Sequence, residues 1–85
     1  MNNSDALVDA LSMYAHNAWS GWMQYMFGKS IRDVDGAMLI PSEYVERWER
    51  QSQTAYSELP LSEQVSDQDE ALKILAILRL GGFEV

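Results

Sequence analysis

Between Leu7 and Met26 apolar residues return every three or four positions. Leu7, Leu11, Tyr14, Ala18, Trp22 and Tyr25 or Met26 share one side of a helix, and Val8, Ala15, Trp19 and Met26 widen that stripe. The other side carries Asp5, Asp9, Ser12, His16, Ser20 and Gln24. Ser4 has the side chain of an N-cap, Asp5 suits the positive end of the helix dipole, and Gly28 is a stop signal. The pattern predicts a first helix over about residues 5–27.

The pattern then breaks. In "KSIRDVDGAMLI" two short apolar groups flank Asp35-Gly36, a pair that favours a hairpin turn, so residues 29–40 are expected to form a loop or a short two-stranded ribbon lying on the helices. After Pro41, Tyr44, Trp48, Gln51, Ala55 and Leu59 form one helical row, with Val45, Ser52 and Tyr56 beside it. Glu43, Glu46, Arg47, Glu49, Arg50 and Gln53 fill the wet side. Ser42 is the expected cap and Pro60 the expected end, giving a second helix over about 42–58.

A third helix is expected over about 66–80, with Ser66 as its cap and Asp67, Asp69 and Glu70 in its first turn. Its apolar residues, from Leu72 through Leu80, lie nearly all round the axis. Such a helix is buried on several sides, which in a short chain points to a subunit interface. Gly81-Gly82 closes it and lets Phe83 fold back. The expectation is a single all-α domain of three main helices.

Composition narrows the function. At 47% hydrophobic the 85-residue chain can form a compact core. With no cysteine, disulfides and thiolate metal sites drop out, which fits an intracellular protein. No segment reaches the roughly 18 apolar residues of a membrane span, and the N-terminus lacks the pattern of a signal peptide. A cytoplasmic protein is the expectation. The net charge of −7, with only six Lys and Arg in all, argues against nucleic acid or an anionic membrane as partner. Glu58 to Glu70 holds five acids and no base, a candidate docking surface for a protein.

One histidine without a cysteine leaves too few ligands for a transition metal, and the carboxylates needed after "DVDG" for a calcium loop are missing. Ser12 or Ser20 with His16 on one exposed helix face cannot build an oxyanion site, and no phosphate-binding loop is present. No catalysis and no cofactor are expected. The aromatic residues are the remaining chemistry. Trp and Tyr favour half-wet positions where a flat group can stack, and Arg47 and Arg50 flank Trp48. These rings form either a core or a cleft.

"AHNAWSGWMQYMF" and "IPSEYVERWERQSQTAYSELPLSEQVSDQDEA" together resemble a group of small phage and prophage proteins, mostly without an assigned role. The pattern rests on His16, Trp19, Trp22, Met23, Trp48, Gln51, Tyr56, Leu59, Glu63, Ser66, Asp67 and Ala71. His16 and Trp19 with the later "YSELP" are also distantly similar to the helical repeat domain of ryanodine receptors. That resemblance implies a non-enzymatic module that captures a small anionic or nucleotide-like ligand in the cytoplasm of a host cell. Where the phage proteins commonly carry an arginine after Ser-Asp, this chain has Gln68. The site expected is a cleft walled by Trp19, Trp22 and Trp48, with His16, Arg47 and Gln51 as polar contacts. The alternative is a homo-oligomer that binds or inhibits a host protein through its acidic surface.

Overall fold

The computed structural model describes residues 3–85 and is all-α, with one small ribbon. The elements run α1 (Asn3–Lys29), β1 (Ile31–Arg32), β2 (Met38–Leu39), α2 (Ser42–Ser52), a 3-10 turn (Tyr56–Glu58) and α3 (Leu61–Leu80). They form two compact units. One joins the chain up to Ala18 with Pro60–Val85, and the other is Trp19–Leu59.

In the first unit, Leu7, Ala10, Leu11 and Tyr14 form the half-buried face of α1. The Tyr14 hydroxyl donates to the Glu70 carboxylate on α3. This bond holds the tyrosine proton and raises the Tyr14 pKa above 10.0. The same bond, helped by Lys73 at 3.1 Å, lowers the Glu70 pKa below 4.5. On α3 the half-buried residues are Glu63, Gln64, Glu70, Leu75, Ile77 and Leu78, all on one side of the helix.

The helix starts differ from expectation. Ser4 lies inside α1, whose described part begins at Asn3. Ser42 is the first residue of α2 rather than its cap, and Ser66 lies a turn and a half inside α3. Both later helices begin directly after a proline held extended, Pro41 at ψ 143° and Pro60 at ψ 150°. Each proline carbonyl accepts two amides of the first turn: Tyr44 and Val45 on Pro41, Glu63 and Gln64 on Pro60. The preset φ of proline makes it a ready helix entrance, and it brings no amide that would lack a partner there. α3 therefore gains five residues over the expected 66–80, and Glu63 rather than the Asp67–Glu70 cluster faces the dipole.

α2 stops at Ser52 and does not run to 58. The polar run Gln51–Thr54 supplies the reason. Ser52 Oγ donates back to Glu49 O at 2.8 Å, and Thr54 Oγ1 donates to Arg50 O, bonds that loosen a helix end. Ala55 then turns extended and the chain makes the 3-10 turn. Leu59, 8% exposed, is the one deeply buried apolar side chain among the described residues.

The ribbon after α1 is antiparallel, with Ile31 opposite Leu39 and Arg32 opposite Met38. Its turn is closed by Gly36 N–H on Asp33 O at 3.1 Å, and Gly36 sits at φ +91°, where a side chain is strained. α3 ends as its two glycines suggest. Gly82 takes φ +91°, its amide bonds Arg79 O, and the Phe83 amide bonds Leu78 O at 3.0 Å, a Schellman ending. No helix among the described residues is long and apolar enough to cross a membrane.

Candidate functional site: an aromatic cleft in residues 19–59

Trp22, Tyr25 and Lys29 stand at positions i, i+3 and i+7 of α1, and Tyr44, Trp48 and Gln51 at i, i+4 and i+7 of α2. That spacing lines each set along one face of its helix. Trp48 is where they meet. Its ring lies 5.2 Å from Trp22 edge-on, 5.5 Å from Tyr44 and 6.2 Å from Tyr25. Trp22 and Tyr25 stack at 5.6 Å. All these separations lie in the range where ring quadrupoles attract.

A shallow cleft of about 250 Å³ opens beside the rings, lined by Trp22, Trp48, Gln51 and Ser52. Gln51 and Ser52 are its polar contacts. Trp48 Nε1 is not one of them: it is closed off from solvent and meets no acceptor among the described residues. At the tyrosine end stand two cations. Lys29 Nζ lies 5.6 Å from the Tyr25 ring and 5.9 Å from the Tyr44 ring. Arg47 Cζ is 5.9 Å from the Tyr44 ring, while its Nη2 donates to the Tyr25 hydroxyl at 3.0 Å. Cation–π contact and one hydrogen bond hold the guanidinium and leave other N–H groups of its fork for an anion.

Of the six residues nominated from the sequence, Trp22, Trp48 and Gln51 line this cleft, and Arg47 belongs to the same cluster. Trp19 begins this unit, is 60% exposed and does not line the cleft. His16 is exposed on α1 and belongs to the other unit. Sequence reasoning did not nominate Ser52, although it sits four residues after Trp48 and so on the same face. Nor did it nominate Lys29, for which the spacing of seven from Trp22 was the available signal. Comparison with protein-family models, with curated proteins and with solved structures found no match for this chain.

Proposed function

We propose that this chain is a non-enzymatic binding module that holds a small, flat, anionic ligand of nucleotide type in its aromatic cleft. The observation that carries the reading is the combination of a mostly apolar wall, Trp22 and Trp48, with Gln51 and Ser52 at its edge and Lys29 and Arg47 at the far end of the same ring cluster. A few placed polar groups in an apolar recess are what small-molecule sites share. The volume of about 250 Å³ falls below the ~300–1,000 Å³ usual for whole drug-sized ligands, so one planar ring system enters and its charged substituent stays outside, against the cations. The resemblance to phage proteins and to the ryanodine-receptor repeat domain supports this role, and a phage-encoded chain would act in the host cytoplasm.

Titration calorimetry against nucleoside mono- and diphosphates, with the matching nucleosides as controls, tests the proposal. Phosphorylated members should bind, the nucleosides should bind more weakly, and Arg47→Ala should erase that difference. Absence of heat with every member overturns the reading. A second reading, docking of a basic host protein, is favoured by the acids Glu63, Asp67, Asp69 and Glu70 of α3, none of which is buried. It predicts no nucleotide binding, and a basic partner released when Asp67 and Asp69 become lysine.

A further inference from the structure

α3 has two apolar sides. One carries the half-buried Leu75, Ile77 and Leu78 with Glu70, the acceptor of the Tyr14 hydroxyl. At about 3.6 residues per turn, Leu61, Val65, Leu72, Ala76 and Leu80 fall together on the opposite side. They are open to solvent: Leu61 73%, Val65 43%, Leu72 59% and Leu80 90% exposed. Asp69 and Arg79 are charged members of the row, and Gln68 and Lys73 stand at its two edges. A helix carrying such a row is stable in water when a second surface covers it.

We infer that the row is covered by the α3 of a second copy of this chain, running antiparallel about a twofold axis near Glu70–Ala71. Two features select this occupant. The row repeats itself in that direction: Leu61 lies alongside the partner subunit's Leu80, Val65 alongside the partner subunit's Ala76, and Leu72 alongside the partner subunit's Asp69. Charge also selects it. The first half of α3 holds Glu63, Asp67, Asp69 and Glu70 with no base, and the second half holds Lys73 and Arg79 with no acid. Antiparallel pairing sets each acidic half against a basic half, whereas parallel pairing sets acid on acid in a chain of net charge −7. A twofold contact of one patch with itself is the commonest form of association between identical chains. Nothing in this inference depends on the cleft or its ligand.

The test uses the full chain. Sedimentation equilibrium should give twice the 9.7 kDa chain mass. Leu72→Glu, a change on an exposed position, should give the single-chain mass with the circular-dichroism helix signal kept. Because the chain has no cysteine, orientation is read directly by oxidising an equal mixture of Val65→Cys and Ala76→Cys chains. A 65–76 mixed disulfide should dominate. Three results overturn the inference: a monomer at every concentration, which leaves the row to another part of the chain or to a different protein; a dimer that Leu72→Glu does not weaken; or 65–65 and 76–76 disulfides in place of the mixed one.

Discussion

Trp48 joins the aromatic cluster of residues 19–59, and Trp48→Ala removes its ring contacts with Trp22, Tyr25 and Tyr44 together. Truncating a buried tryptophan costs about 3–5 kcal/mol, and each ring pair contributes about 0.5–1.5 kcal/mol beyond the area it covers. Trp48 is half-buried, so the expected loss is about 2–4 kcal/mol. Against a total stability of roughly 4–13 kcal/mol for a chain of this length, that is a large share. At a urea slope of about 2 kcal/mol per molar it moves the unfolding midpoint by about 1–2 M. Trp48→Phe is the informative companion. It keeps a ring against three neighbours and removes the Nε1 donor that has no acceptor. An unpaired buried donor costs about 1–3 kcal/mol, so its removal offsets much of the lost area and the net change stays within about 1 kcal/mol. The assay is urea unfolding followed by far-ultraviolet circular dichroism at one fixed protein concentration, since association also shifts the midpoint. A double-mutant cycle with Trp22→Ala should return a coupling of about 0.5–1.5 kcal/mol. Equal costs for Trp48→Ala and Trp48→Phe, or a coupling of zero, would show that the rings are neighbours without being a cohesive cluster, and the cleft would lose its rigid wall.

Three further outcomes are expected. Tyr14→Phe should return the Glu70 pKa toward 4.5, read by carboxyl carbon NMR; because a lowered folded-state carboxylate pKa stabilises above the unfolded value and is lost as pH falls through the folded one, the variant should also lose less stability on acidification. Gly21→Ala and Gly36→Ala should have opposite signs in thermal melts: Gly21 is helical with open space at its Cβ position, so alanine gains about 0.5–1 kcal/mol, while Gly36 at φ +91° has equal space but a strained backbone for alanine and loses about 1–2 kcal/mol. Ser66→Ala should leave stability unchanged or slightly raised, because Ser66 lies within α3; a loss of about 1 kcal/mol would restore it as a cap.

The three helices were legible because each has a long periodic pattern, and the ribbon because Asp35-Gly36 marks a turn. The boundaries were less so, since two start signals competed before α3. Ser66 followed by acids is a good cap pattern, but Pro60 stands upstream and the intervening Leu61–Val65 is compatible with helix, so the earlier start adds hydrogen bonds at no conflict. The end of α2 failed for the opposite reason: Gln51–Thr54 continue the row in register while their hydroxyls compete for the last carbonyls. At the site, Trp22, Trp48 and Gln51 were readable as facing rows. His16 shares α1 with Trp22, but a position on a helix fixes only direction around the axis. Which unit a residue serves depends on contacts distant in sequence, and His16 falls before the division at Ala18.

The same limit explains α3. Apolar residues lie on both sides of the helix, and hydrophobicity alone does not decide which side meets its own chain. The polar pair decides it. Glu70 lies on the side of Glu63 and Ile77, and the Tyr14 hydroxyl can bond it only when that side faces α1. With the helix reversed, Glu70 would point to solvent, Tyr14 would lose its acceptor, and the Leu61–Leu80 row would be buried in its place at similar apolar gain. One directional bond therefore separates two arrangements that burial alone leaves nearly equal. Having fixed the inner side, it leaves the Leu61–Leu80 row outward, with Asp69 at its mid-length and Gln68 and Lys73 along its edges. In the inferred antiparallel pair each Asp69 comes alongside the partner subunit's Leu72 and next to the partner subunit's Lys73, so the acid that enters the contact meets a cation there.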